Sequence, residues 1–214
     1  GMDWTPDGRI VYLSTASGHP QIWISDPEGR TVRQLTAAQQ EPVFSASVTP
    51  DGRHILFQRL ADRRMRIWRM NIDGSDQKPI TDGPLDLAAV AGPDGAVYFN
   101  RVTKGSPRTF KVSIDGGSAV PVSEEIFRPL DISSDGSQLL GVSWDAEARR
   151  SVLATMPAAG GDLRLLREIP AFVGSGHPHN AIRAGIRIAA DLAAAVDGGV
   201  GFPAGVGVHT GVAY

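Results

Sequence analysis

One four-residue phrase recurs along this chain and limits what it can fold into. Thr5-Pro6-Asp7-Gly8 returns as Thr49-Pro50-Asp51-Gly52, then as Gly92-Pro93-Asp94-Gly95, then as Ser133-Ser134-Asp135-Gly136, at intervals of 44, 43 and 41 residues. That period is the length of a four-stranded propeller blade. A unit of this size cannot bury its apolar face alone, so successive copies must stack. Asp-Gly tolerates positive φ and predicts a tight two-residue hairpin in each copy.

Each copy reads as four short strands. The first ends at Trp4, Val48, Ala91 or Ile132, and small neighbours such as Ala46 and Ala89 suit a crowded strand near a propeller axis. The second is a near-continuous apolar run: Ile10 to Leu13, Ile55 to Phe57, Val97 to Phe99 and Leu139 to Val142. Such runs predict burial on both faces. The third carries an aromatic at Trp23, Trp68 and Phe110, which the fourth copy lacks at Val152-Leu153-Ala154-Thr155. Equivalent placement in successive copies predicts that these aromatics pack between blades. The fourth strand holds Pro79 and Pro121, and proline cannot donate to a ladder, which predicts an outer edge.

These residues resemble the TolB-like β-propeller repeat, and are similar to the propellers that follow the kinase and membrane span in bacterial receptor-type Ser/Thr kinases. The phrases Ile67-Trp68-Arg69-Met70-Asn71-Ile72-Asp73-Gly74 and Phe110-Lys111-Val112-Ser113-Ile114-Asp115-Gly116-Gly117 carry the likeness. The expected fold is mainly β: a partial, four-bladed propeller over 1–170, with blades near 3–36, 43–81, 87–123 and 130–166. The resemblance implies ligand or protein binding on the end faces or in the channel. It supplies no catalytic residue.

Composition changes abruptly after the repeats. Residues 1–170 hold 40 charged side chains, whereas 171–214 hold four, with 19 Ala or Gly among 44 residues. From Asn180 the apolar period lengthens, and Ile182, Ile186, Ala189, Leu192 and Val196 form one helical stripe. A Gly-rich strand from Gly205 to Gly211 follows. This segment resembles a slice of the class III adenylate/guanylate cyclase domain, through His179-Asn180-Ala181-Ile182-Arg183-Ala184-Gly185 and Gly205-Val206-Gly207-Val208-His209-Thr210-Gly211. The resemblance implies a short α/β fragment of a ferredoxin-like domain without the family's metal-binding aspartates or its transition-state Asn and Arg. A fused or misassembled reading frame is the alternative explanation of the junction near 170.

The candidate chemistry is sparse. His177 and His179 lack further ligands for a metal, and His209 reads as a strand residue. Gly205-x-Gly207-x-x-x-Gly211 lacks dinucleotide-binding spacing, and Gly174-Ser175-Gly176 lacks that of a nucleophile elbow. Asp7, Asp51, Asp94 and Asp135 are explained by turn chemistry without calcium. His19 and His54 have no partner motif. The arginines 59, 63, 64, 66 and 69 are expected on a solvated hairpin, with an anionic partner as the alternative.

No catalytic, cofactor-binding or metal residue is assigned, and no cofactor is expected. The net charge of −2, with no long basic run, argues against nucleic acid, and no apolar run is long enough to span a membrane. The leading expectation is a non-enzymatic binding or sensing module of a larger bacterial signalling protein. The alternative is an inactive cyclase fragment fused to propeller repeats. The partner expected is an unknown protein or small molecule on a propeller face, with self-association through open blades. The propeller resemblance suggests an extracytoplasmic location, and the cyclase resemblance a cytoplasmic one.

Overall fold

A computed structural model describes residues 1–37, 41–103 and 106–170. Sixteen strands form four antiparallel four-stranded sheets, each built in chain order. The first sheet holds β1 (Met2–Trp4), β2 (Ile10–Ser14), β3 (Gln21–Ser25) and β4 (Val32–Gln34). The second holds β5 (Val43–Val48), β6 (His54–Ala61), β7 (Arg64–Asn71) and β8 (Lys78–Pro79). The third holds β9 (Asp86–Ala91), β10 (Ala96–Thr103), β11 (Ser106–Ser113) and β12 (Val120–Ser123). The fourth holds β13 (Phe127–Ile132), β14 (Gln138–Asp145), β15 (Arg150–Pro157) and β16 (Arg164–Pro170). The helix and strand expected within 171–214, with His177, His179, His209 and Gly174 to Gly176, lie outside the described residues.

Three cores join the sheets in series. The first combines Val11, Ile22, Ile24 and Leu35 with Val43, Ile55, Phe57 and Met70 of the second sheet. The second sets Leu56, Ile67 and Ile80 against Val97, Phe99 and Val112 of the third. The third sets Tyr98 against Phe127, Leu139, Ala154 and Met156 of the fourth. The first strand of each later sheet makes much of the contact with its predecessor. Among the described residues, no core joins the fourth sheet to the first.

This serial order decides which strands are buried on both faces. β6 and β10, in the two middle sheets, are continuously buried through most of their length. β14 and β15 alternate, because among the described residues the last sheet is covered on one face. The apolar sequence of the second strand is therefore a property of the blade, and its burial depends on the neighbours.

The aromatic row obeys the same rule. Tyr12 and Trp23, Phe57 and Trp68, and Phe99 and Phe110 are cross-strand pairs at equivalent positions. Phe57 and Phe99 are buried against the preceding sheet, with Trp68 and Phe110 packed beside them. Among the described residues no sheet covers the row of the first sheet, and Trp23, half-buried, lies outside the inter-blade core in which it was expected. Around it, Met2 and Trp4 are each 61 % exposed and Val32 is 50 % exposed.

The fourth copy replaces its missing aromatic from another strand. Its equivalent pair is Gly141 and Ala154, and the buried ring of Phe127 on β13 occupies the space. A Cβ at Gly141 would stand 2.5 Å from that ring and 2.2 Å from the Arg128 carbonyl oxygen. Proline behaves as expected: Pro79 and Pro121 lie on β8 and β12, the edge strands, opposite Trp68 and Phe110.

The small residues of the first strands have a local cause besides crowding. β5 and β9 carry register shifts, between Phe44 and Ser47 in one and opposite Tyr98 to Asn100 in the other. Ser45 and Ala88 there adopt φ of 49° and 55°. Positive φ at these positions disfavours bulky and β-branched side chains most, which fits Ser45 and Ala88.

Two predictions follow from the stacking. Gly141→Ala is expected to lower stability by about 1–3 kcal/mol through overpacking against Phe127, read by chemical denaturation. The isolated chain is expected to self-associate through the uncovered first sheet. Light scattering should show smaller species for Trp4→Glu than for the parent chain.

Candidate functional site

The repeated phrase builds one end of the stack. In the first copy Gly8 N–H donates to the Thr5 carbonyl at 3.0 Å, and Thr5 N–H donates to the Arg9 carbonyl at 2.9 Å. Pro6, Asp7 and Gly8 thus form a three-residue loop, with Gly8 at φ 85°. This is a type I turn closed by a left-handed glycine. The third copy is alike, pairing Gly92 with Ala96. The second and fourth copies insert one residue, pairing Thr49 with His54 and Ser133 with Gln138. The expected two-residue Asp-Gly hairpin is therefore corrected, because proline starts the turn and glycine ends it. A two-residue loop occurs instead at Asp62-Arg63, whose φ angles of 51° and 60° fit a type I′ turn.

Hydroxyl and carboxylate groups hold these turns. Thr49 Oγ1 donates to Asp51 Oδ1 at 2.6 Å and accepts from His54 N–H at 3.1 Å. Ser133 repeats both bonds, at 2.6 Å to Asp135 Oδ1 and 2.9 Å from Gln138 N–H. Thr5 donates to Asp7 and accepts from Arg9 N–H at 2.8 Å. Asp94, whose copy has glycine in place of the hydroxyl, accepts from Ala96 N–H at 3.1 Å. Each aspartate is thus engaged within its own turn. Among the described residues no three His, Asp or Glu are grouped to hold a metal.

Successive turns also interlock. A Cβ on Gly52 would meet Pro6 Cγ at 2.6 Å, and one on Gly136 would meet Pro93 Cγ at 3.1 Å. The corresponding glycine of the third copy, Gly95, has no proline against it. There a shallow cleft opens, lined by Pro50, Asp51, His54, Gly92, Pro93 and Ile114 among others. Burial, then the charge of Arg69, holds His54 below its ordinary pKa. His19, by contrast, is exposed on the β2–β3 hairpin.

The opposite end carries the hairpins and the links between sheets, and here the arginine cluster departs from expectation. Arg63 and Arg64 are exposed and Arg66 is half-buried, but Arg59 and Arg69 are buried. Arg69 lies nearer the turn end, pairing with Asp76 at 2.8 Å and Asp115 at 3.7 Å. The Arg59 guanidinium lies 5.2 Å from the Phe57 ring centre and 4.4 Å from that of Trp68. Arg101 does the same in the third sheet, at 5.5 Å from Phe99 and 5.3 Å from Phe110. The signal was the shared Phe-x-Arg spacing, hidden by reading charge as solvated.

Arg101 is fully compensated. Its Nε donates to Asp86 Oδ1 at 2.8 Å, and its Nη2 donates to Asp86 Oδ2 at 3.0 Å and Asp82 at 2.9 Å. Asp86 is 0 % exposed and accepts a third bond from Gly83 N–H at 3.1 Å. The hydrogen bonds that Arg101 donates to Asp86 raise its pKa above the ordinary value. Buried charge is tolerated here because both ions are paired and Asp86 accepts a further bond from Gly83.

With this frame in place, the comparisons with known proteins are decisive for family. A model of the TolB beta propeller domain matches residues 1–131. The chain belongs to that family. It is 27% identical over 149 residues to the uncharacterized protein Atu1656 of Agrobacterium fabrum, covering 67% of this chain and 50% of that protein. The crystal structure of TolB from Acinetobacter baumannii superposes with a TM-score of 0.69 at 23% identity, covering 81% of this chain and 44% of that one. A TolB-like structure from Agrobacterium tumefaciens gives 0.65 at 22% identity, covering 76% and 62%. The two structural likenesses establish the fold. This TolB-family chain spans about half the length of the curated relative it matches.

Three measurements bear on these sites. Asp86→Asn leaves the Arg101 charge buried and half-paired, and is expected to cost about 3–5 kcal/mol in denaturant unfolding. Gly52→Ala is expected to cost about 1–3 kcal/mol, since positive φ and the Pro6 ring both oppose a Cβ. The hydrogen bond from Arg9 and then that from Thr5 hold Asp7 at a pKa of about 2, and the bond from Ser133 and then Ser137 N–H hold Asp135 at about 2. Folded values below the usual 3.8 mean stability present above that pH and lost as pH falls towards 2. The acid-side drop in melting temperature should be smaller for Asp135→Asn.

Proposed function

We propose that this chain is the blade-bearing part of a non-enzymatic module that binds a ligand or protein partner on an end face of its propeller. The observation that carries the reading is how the polar side chains are used. At the turn end the aspartates of the repeat are committed to their own loops. What remains near solvent is a shallow, partly apolar cleft at one end and a row of arginines at the other. Shape and charge of this kind suit recognition. They do not supply a nucleophile paired with a base.

Membership in the TolB family supports an end-face binding role, although the fold alone does not assign function. Within this reading the module works outside the cytoplasmic membrane as part of a longer bacterial signalling protein. Among the described residues no helix is long and apolar enough to cross a membrane.

The test is turnover. The chain is assayed for ester and peptide hydrolysis and for cyclic nucleotide formation from ATP or GTP with Mn²⁺. No turnover is expected. Turnover that tracks the purified chain and is lost in a variant of a single side chain would overturn the non-enzymatic reading.

A further inference from the structure

The second and third sheets carry the same cationic row, but only one has its counter-ions. In the third sheet Asp86, Arg101 and Arg108 stand opposite one another on β9, β10 and β11. Arg101 has Asp86 and Asp82, and Arg108 has Glu124 at 3.6 Å. In the second sheet the equivalent residues on β5, β6 and β7 are Val43, Arg59 and Arg66. Valine has taken the place of the buried carboxylate.

The two arginines are left short of acceptors. The Arg59 side chain is 7% exposed, and its nearest carboxylate is Glu41, at 3.9 Å from Nε. Its Nη2 donates to Gln77 Oε1 at 2.8 Å. Among the described residues its buried Nε has no hydrogen-bond partner, and neither has the buried Nε of Arg66. Burial lowers the pKa of Arg59, with Glu41 opposing only in part, whereas the pKa of Arg101 is raised. Guanidinium stays charged under these conditions, so the site holds desolvated positive charge in search of an acceptor.

We propose that Arg59 and Arg66 form a carboxylate-binding site at the rim between the first and second sheets. The Arg101–Asp86 pair is the internal template. There a planar carboxylate takes Nε and Nη2 together, the two-pronged geometry in which arginine binds carboxylates best. At Arg59 the ligand competes with Glu41, a half-exposed residue 3.9 Å from Nε, and with the Gln77 side chain, which accepts from Nη2 at 2.8 Å. Arg66 adds a second donor group on the neighbouring strand. The inference rests on the reading of the chain as a binding module and gives that module a ligand chemistry.

The test follows the arginine Nε–Hε resonances of the isotope-labelled full chain during titration with succinate, with an acid-rich peptide, and with chloride at matched ionic strength. The Arg59 and Arg66 signals are expected to shift saturably with carboxylates and not with chloride. Tighter binding of the peptide would identify a protein side chain as the source, and equal binding a free acid. Arg66→Gln should weaken binding about ten-fold, while Glu41→Gln should tighten it by removing the competitor. Val43→Asp supplies the counter-ion from within and should abolish binding. Val43 is buried, so the Glu41 and Arg66 variants keep the test decisive if that variant fails to fold. Absence of a saturable shift at Arg59 with either carboxylate, or weaker binding by Glu41→Gln, would overturn the site. Neither result touches the non-enzymatic reading, which turnover alone overturns.

Discussion

Each later sheet of this protein is packed against the sheet before it. The aromatic row of β2–β3, β6–β7 or β10–β11 lies on one face, and in the middle of the stack that face is closed by the preceding blade. Most of the other features answer to this dependence. The middle strands are buried on both sides, the last sheet alternates, and the first leaves Met2, Trp4 and Val32 in contact with water. Stability in such an array is a sum of neighbour interfaces, so a terminal face is a place where a further surface belongs. The greater length of the matched relatives agrees with that picture.

The same dependence explains what was legible in the sequence. The period, the four-strand blade and the edge prolines are local, because a turn needs its glycine and an outer strand tolerates proline wherever the blade sits. Loop length was also on the page, in the extra residue between Gly52 and Ile55 compared with Gly8 and Ile10. The fourth blade was not so readable. Its third strand had lost the aromatic, yet Phe127 restores the ring from a different strand, over a glycine that leaves room for it. Compensation between strands conserves volume, not position, and a strand-by-strand alignment of copies looks only at position.

Charge was the hardest part to read. An arginine-rich hairpin looks like a solvated loop, and at Arg63 and Arg64 it is one. Two residues inside the strand, the same side chain becomes a lid over an aromatic pair. Its long stem packs while its head finds an acceptor or goes without. The sequence contained the comparison that matters, Phe57-x-Arg59 beside Phe99-x-Arg101. It lacked the register that sets Val43 and Asp86 in the same place.

That register turns a repeat into a measurement. Two copies of one scaffold hold the same cation in the same aromatic seat, and the strand residue paired with it is Asp86 in one and Val43 in the other. The third sheet shows what the seat requires when it is purely structural: a carboxylate bonded by both prongs of the guanidinium, with Gly83 small enough to let it in. A Cβ at Gly83 would fall 2.4 Å from Asp86 Oδ1 and 2.5 Å from Arg101 Nε, so this economy is built into the backbone. The second sheet keeps the costly half of the arrangement, a desolvated guanidinium, and sets against it only Glu41 at 3.9 Å and the neutral Gln77. Burying charge without its partner is destabilising. A blade that retained arginine only for packing would do better with a neutral side chain, so an acceptor from outside the chain is the simplest way to complete the row.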